Sequence, residues 1–127
     1  MVQELKNHGF NHIDTLENQD KSLSVDEFKS LPTNKTKAVI LGINKSFNFR
    51  KLCILSLHLE NKDVEFYVTN EDRIYSAGCH KGMDGQTRYV ADIGAILKAV
   101  ETAAGRSAVR IGKPERHAFE SIKRDHF

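Results

Sequence analysis

Lys113 is the residue of this 127-residue chain whose type and surroundings most clearly suggest chemistry. It follows a short apolar segment, Ala108 to Ile111, and precedes Pro114, which fits the first turn of a helix. Gly112 permits a close approach of backbone at the end of the strand. A lysine between a strand and the positive end of a helix is a common anion-binding arrangement. The segment therefore predicts a site for an anion such as phosphate.

Further polar side chains follow the ends of the other predicted strands. Asn44 comes after the first long apolar run, and Asn70 and Asp72 come after the second. Ligands of parallel α/β folds bind beyond the carboxyl ends of the strands, so we expect these residues to share one sheet edge with Lys113. Two alternatives stay open, namely that Lys113 is an ordinary solvated loop lysine and that Asp72 caps a turn.

Alternating strands and helices must position these residues. The predicted strands are 38–43, 64–69 and 108–111, with a further brief strand over 10–13, and the predicted helices are 2–8, 24–31, 48–60, 93–104 and 115–123. Strand, helix and strand over 38–69 predict a right-handed βαβ unit. The fold class is therefore α/β, with a mostly parallel sheet and flanking helices.

Several finer expectations follow from the same patterns. Residues 38–43 are expected to be buried on both faces of the sheet, and 70–92 to form a long polar loop. Phe10 is expected to point into the core, and Val109 and Ile111 to supply the apolar face of the last strand. The phenylalanines expected to belong to the core are Phe47, Phe49 and Phe66.

Composition narrows the classes of function. The net charge of +2 is too small to argue for nucleic acid or an anionic membrane, and no apolar run has the length of a membrane span. The first residues lack the pattern of an export signal, so we expect a cytoplasmic location. Cys53 is expected to be a small buried hydrophobe, and Cys79 beside His80 lacks the further ligands of a zinc site.

Four segments, in order, resemble the cap and the cap-to-core junction of haloacid-dehalogenase-type (HAD) phosphatases. They are VQELKNHGF, KAVILGINKSFNFRKL, EFYVTNEDRIY and GAILKAVETAAGRSAVRIGKPERHAFESI. The last, with its Gly-Lys-Pro, is the most specific. The branch that the chain resembles contains 4-nitrophenylphosphatase, phosphoglycolate phosphatase and pyridoxal phosphate phosphatase.

The resemblance implies different roles for two parts of the chain. Residues 1–107 would be a large cap that selects a phosphorylated small molecule and forms a homodimer, and 108–127 would begin the returning catalytic core. Lys113 matches the lysine that steadies the nucleophilic aspartate and the substrate phosphate. The residues implied to bind substrate at the mouth of the site are Asn70, Asp72, Arg73 and Tyr75. The parent family uses Mg²⁺.

Departures from the family pattern are equally informative. The chain has no Asp-x-Asp-Gly motif and no Gly-Asp magnesium segment, and Asn44 stands where aspartate is usual. The resemblance therefore implies a fragment or truncated relative that binds no metal alone and is inactive alone. The alternative is a non-catalytic, cap-like interaction or dimerisation domain. A receiver domain is disfavoured, because the acidic pair and the phospho-accepting aspartate that it needs after its strands are missing.

Overall fold

A three-stranded parallel sheet flanked by helices organises the chain. The computed structural model describes residues 2–11, 24–79 and 87–112, with positions 116, 120, 123 and 124. The parallel strands are β1 (Ala38–Leu41), β2 (Glu65–Val68) and β5 (Val109–Arg110), in the spatial order β1-β2-β5. The helices are α1 (Val2–Asn7), α2 (Val25–Ser30), α3 (Phe49–Glu60) and α4 (Ile93–Ala104), with a 3₁₀ turn at Thr33–Lys35. The predicted α/β class is confirmed.

The βαβ unit runs from β1 through α3 to β2. The two strands pair in parallel, with Val39 opposite Phe66 and Leu41 opposite Val68, and these four side chains are buried. The opposite face of β1 is less covered than we expected, because Ala38 is exposed and Ile40 is only half-buried. Strand β1 therefore buries one face fully, and the expectation of burial on both faces was wrong.

Side-chain caps define where the helices begin and end. Ser24 and Glu27 form the predicted capping box at the start of α2, and the Asn48 side chain accepts a hydrogen bond from the Lys51 amide at the start of α3. Gly105 ends α4 in the left-handed conformation, with φ of 62°. These signals lie within a few residues of each other, which is why the sequence pattern located them.

One apolar core lies between the sheet and the helices. Helix α3 packs against α4, and Leu59, Ile93, Leu97 and Val100 are fully buried together with Phe66 of β2. Full burial of one such side chain contributes about 1.5–3 kcal/mol. The longest described helices, α3 and α4, have 12 residues each, and no described helix is long and apolar enough to cross a membrane.

The segment predicted as a long loop contains a β-hairpin instead. Strand β3 (Ile74–Cys79) pairs antiparallel with β4 (Thr87–Ala91), and Tyr75 lies opposite Val90. Aromatic and β-branched residues favour extended backbone, and they outweigh the glycines and polar residues that suggested a loop. The residues between the two strands lie outside the described part.

Four apolar side chains that we expected to be buried are exposed. Phe10 is 62% exposed because its amide bonds back to the Leu5 carbonyl, which turns the chain away at the end of α1. Phe49 is 77% exposed at the first position of α3. Ala108, immediately before β5, is buried, so the alternation of extended backbone turns Val109 and Ile111 outward.

The other two phenylalanines of the predicted set are covered as we expected. Phe66 is buried and Phe47 packs, partly buried, against the core. The helix predicted over 115–123 has helical backbone at the described positions 116, 120 and 123, and Arg116 pairs there with Glu120. Its remaining residues, and 12–23, lie outside the described residues.

Candidate functional site

The carboxyl ends of the three parallel strands meet at one edge of the sheet. The ladder extends past β2, because the Thr69 amide donates to the Leu41 carbonyl and the Ile111 amide donates to the Val68 carbonyl, both at 3.0 Å. Asn70 follows Thr69, and Gly112 follows Ile111. The structure therefore brings the segments that precede Asn70 and Lys113 side by side. Lys113 itself lies outside the described residues, and its predicted role stays a prediction.

Gly112 packs directly on the backbone at the end of β2. A Cβ atom at this position would lie 1.5 Å from the carbonyl oxygen of Thr69 and 2.7 Å from its carbonyl carbon. No side chain fits in that space, so glycine is required here for steric reasons. This contact places Gly112, the first residue of the Gly-Lys-Pro motif, against Thr69, the first residue of the Thr-Asn motif. In the sequence the two motifs are far apart.

A short turn over residues 70–73 carries three of the four predicted substrate-binding residues. The Asn70 side chain accepts a hydrogen bond from the Asp72 amide at 3.2 Å, so Asn70 caps this turn and leaves the Asp72 carboxylate exposed. Helix α4 holds the turn from the other side, since the Gly94 amide donates to the Asp72 carbonyl at 2.8 Å. The Asp92 amide bonds the Arg73 carbonyl in the same way, at 3.0 Å.

Gly94 is a second position where close packing against the backbone of another segment requires glycine. Its hypothetical Cβ would lie 2.6 Å from the Glu71 carbonyl oxygen and 2.8 Å from that of Asp72. Glu71 also pairs with Arg110 of β5, with 2.5 Å between its Oε2 and the arginine Nε. The backbone of the turn is thus clamped by α4 and β5, while the side chains of Asp72 and Arg73 point to solvent.

Tyr75, the fourth predicted residue, is exposed and has beside its ring a lysine that the sequence did not single out. The Nζ atom of Lys45, in the loop between β1 and α3, lies 5.9 Å from the centroid of the Tyr75 ring. This is within the range of a cation–π contact. The contact connects the end of β1 to the start of β3. Nothing in the local pattern around Lys45 indicates it, because its partner lies far along the chain.

Lys51 is a second residue that sequence reasoning missed. Its side chain is buried, with the residue 2% exposed, and its ammonium donates to the Ser46 carbonyl at 3.0 Å and to Asn44 Oδ1 at 3.5 Å. Lys51 is the lysine of the FNFRKL segment. A lysine in an amphipathic helix is ordinarily assigned to the exposed face, so the sequence pattern did not mark this one as buried. Asn44, expected at the sheet edge as a ligand-facing residue, is instead engaged in shaping this loop.

An open cleft of about 520 Å³ adjoins the clamped turn. Glu71, Arg73 and Ile74 line one side of it, and the α4 residues Gly94, Ala95, Leu97 and Lys98 line the other. Arg73 is the predicted site residue that lines it. Asn70, Asp72 and Tyr75 are its neighbours in the chain but are not among the residues that line the cleft, and the role of all four stays a prediction.

A divalent cation finds no ready site in the part of the chain that the structure describes. No group of three or more His, Cys, Asp or Glu side chains is close enough there to hold a metal ion. Mg²⁺ requires oxygen ligands in near-octahedral geometry, which one exposed carboxylate such as Asp72 does not provide. These residues therefore do not fit the Mg²⁺ that the family resemblance implies.

Comparisons with known proteins match this chain to phosphatases. It is 34% identical over 93 residues to chronophin of Bos taurus, covering 73% of this chain and 29% of that protein. It is 33% identical over 87 residues to glycerol-3-phosphate phosphatase of Gallus gallus, covering 68% and 26%. The solved structure of a p-nitrophenyl phosphatase from Archaeoglobus fulgidus superposes with a TM-score of 0.54 and 26% identity, covering 72% and 32%. No protein-family model matches the chain.

These coverages show that the chain spans less than a third of the length of each of these relatives. The relatives are nevertheless phosphatases of one family, and the likeness extends over about 70% of this chain in both sequence and structure. The resemblance to haloacid-dehalogenase-type phosphatases is thereby confirmed. The chain belongs to the haloacid-dehalogenase-type phosphatase family, of whose enzymes it matches a part.

Proposed function

We propose that this chain is the cap and cap-to-core junction of a magnesium-dependent HAD-type phosphomonoester phosphatase. Residues 1–107 would act as the cap that selects the substrate, and 108–127 would lead into the core. The observation that carries the proposal is the steric contact of Gly112 with Thr69, which joins the two most family-like segments at one sheet edge. The partial coverage of full-length phosphatases also supports it.

Each site residue has a role in this proposal. Lys113 holds the phosphoryl group and steadies the nucleophilic aspartate, because a fixed cation offsets the negative charge of the transferring group. The side chains of Asn70, Asp72, Arg73 and Tyr75 contact the leaving group at the cap. The nucleophile is supplied by an Asp-x-Asp-Gly segment that these 127 residues do not contain.

Mg²⁺ belongs to the same missing part in this proposal. When bound, it would neutralise charge on the phosphoryl oxygens. The described residues do not fit it, so no step of the proposed role of this chain passes through the metal. The chain contributes binding and orientation of a phosphorylated small molecule. We propose the cytoplasm as its location, which agrees with the free thiol of Cys53.

A chimeric enzyme tests the proposal. This chain would replace the matching segment of Bos taurus chronophin, and hydrolysis of 4-nitrophenyl phosphate would be measured with Mg²⁺. We expect a folded, active chimera that loses about 10²–10³ in kcat on Lys113→Ala. Lys29→Ala, on the exposed face of α2, is the matched control and should leave kcat unchanged. A folded chimera whose activity is indifferent to Lys113 would refute the assigned role.

A second candidate function is that of a non-catalytic interaction or dimerisation domain. The β3–β4 hairpin favours it, because Ile74, Tyr75, Tyr89 and Val90 are large side chains that stay exposed there. A two-stranded hairpin is marginally stable when nothing covers it. Sedimentation of the chain over a range of concentrations tests this function. A homodimer that Tyr89→Ser weakens supports it, and a strict monomer at all concentrations counts against it.

A further inference from the structure

The β3–β4 hairpin is fixed to the rest of the chain at its base. The Asp92 amide donates to the Arg73 carbonyl at 3.0 Å, and the Gly94 amide donates to the Asp72 carbonyl at 2.8 Å. Farther along the two strands, the side chains of residues 74–78 and 87–91 are all exposed. A two-stranded hairpin without a covering element is only marginally stable. Its orientation on the molecule therefore depends on a small number of contacts.

The two faces of this hairpin have different surroundings. Tyr75 lies opposite Val90 and shares one face with it, and Ile74 lies opposite Ala91 on the other face. On the first face, the Lys45 Nζ atom lies 5.9 Å from the centroid of the Tyr75 ring. On the second face, Ile74 lines the open cleft of about 520 Å³ that α4 borders on its other side. The hairpin thus has a contact on one face and free space on the other.

The loop that carries Lys45 is held more firmly than the hairpin. The Asn44 side chain accepts a hydrogen bond from the Ser46 amide at 3.0 Å, and the Asn44 carbonyl accepts one from the Phe47 amide at 3.1 Å. The buried Lys51 ammonium donates to the Ser46 carbonyl at 3.0 Å. A contact between this loop and the hairpin therefore restricts the hairpin.

The charged side chains at the base of the hairpin are those of Glu71, Asp72 and Arg73. The Glu71 carboxylate accepts a hydrogen bond from Arg110, and all three side chains are exposed. No ion pair within the described segments joins any of the three to Lys45. Within that part of the chain, the contact of the Lys45 ammonium with the hairpin is therefore the aromatic ring and not a carboxylate.

We propose that the β3–β4 hairpin is a flap with two positions, and that the Lys45–Tyr75 contact holds one of them. In the position seen here, the flap extends from the end of β2 to the end of β1. In the other position it turns about its base toward α4, and Ile74, which is 56% exposed here, packs against the helix across the cleft. An exposed cation–π contact and the partial burial of one isoleucine are both small contributions, so the two positions are close in free energy. This motion is a property of the chain and does not rest on the proposed function.

Amide chemical shifts of the 127-residue chain, measured by NMR, test the proposal. Ala95 and Lys98 lie beside the cleft and far from the substituted side chains, so their shifts report the released position. Loss of an exposed cation–π contact should raise the ratio of released to held flap by about two- to fivefold. We expect Lys45→Met and Tyr75→Leu to move both resonances in the same direction, and Tyr75→Phe, which keeps an aromatic face, to leave them in place.

Two further variants are controls. Lys29→Met, at an exposed lysine on α2, and Asp72→Asn, at the base of the flap, should leave the Ala95 and Lys98 resonances unchanged. The amides of β1 and β2 should stay in place in every variant, which shows that the sheet is intact. Unmoved cleft resonances in Lys45→Met would overturn the inference. So would an equal movement in Asp72→Asn, because a carboxylate and not the ring would then hold the flap.

Discussion

Gly112 is the residue at which the packing of the sheet edge is most demanding. A methyl group there would overlap the Thr69 carbonyl oxygen at 1.5 Å, so we expect Gly112→Ala to force β5 away from β2 and to lower the free energy of unfolding by about 2 kcal/mol. Urea denaturation measures the change. Because the overlap is with backbone, neighbouring side chains cannot relieve it by changing rotamer.

Gly105→Ala is the control for this prediction. Gly105 has nothing within 4 Å of its hypothetical Cβ but has a left-handed φ of 62°, so its substitution measures conformational strain without overlap and should cost about 1 kcal/mol. A loss from Gly112→Ala no larger than this would show that the contact with Thr69 is not tight in solution.

His58 gives the stability of the chain a dependence on pH. The residue is buried on α3, its Nδ1 lies 2.8 Å from Thr36 Oγ1, and burial lowers its pKa below the ordinary 6.5. As the pH falls below 6.5, the unfolded chain takes up this proton while the folded chain resists it. We therefore expect the free energy of unfolding to be fully retained above that pH and to fall as the pH decreases toward the pKa of the folded state.

The measurement is the unfolding free energy at a series of pH values from 7.5 to 5. His58→Gln, which removes the buried titrating ring, should flatten the decline. An undiminished decline in the His58 variant would assign the pH dependence to other groups.

At the scale of the element, the loop between β1 and α3 is folded around a buried ammonium. Within the described segments, the acceptors of the Lys51 ammonium are both neutral, the Ser46 carbonyl and Asn44 Oδ1. Asn44→Asp would place a carboxylate 3.5 Å from an ammonium that is already buried, and hydrogen bonds between charged groups are stronger than neutral ones. We expect a gain of about 1 kcal/mol in unfolding free energy, measured by thermal or urea denaturation.

A double-mutant cycle supplies the control. In a Lys51→Met background, Asn44→Asp should destabilise the chain, because the carboxylate would then be half-buried without its cation. The same effect of Asn44→Asp in both backgrounds would mean that the two side chains do not interact.

At the scale of the whole molecule, the proposed function gives this chain a binding role and assigns the nucleophile to another segment. No Asp-x-Asp-Gly motif occurs in its 127 residues. We expect the purified chain, with Mg²⁺ present, to hydrolyse 4-nitrophenyl phosphate no faster than its Lys113→Ala variant. Magnesium-dependent turnover clearly above that variant would refute the assignment of the nucleophile to another segment.

Local patterns were sufficient for the parallel strands, for the longer helices and for the family, but they predicted a loop where the β3–β4 hairpin lies. Ser24 with Glu27, Asn48 with Lys51, and Gly105 each mark a helix end through contacts within a few residues, so their physics is visible in the sequence. The alternation of apolar runs specified the parallel strands. The order of four family-like segments, of which the one containing Gly-Lys-Pro is the most specific, was enough to indicate the phosphatase family.

Only the tertiary structure decided which residues share a surface. Lys45 lies over Tyr75, and Gly112 lies on Thr69, although each pair is far apart in the chain. Residue type alone misjudged Phe49, which is exposed, and Lys51, which is buried. The physical reason is the same in each case. Whether a side chain is buried, and what it contacts, depends on which segments from elsewhere in the chain pack against it. The periodicity within a single helix or strand does not specify those segments.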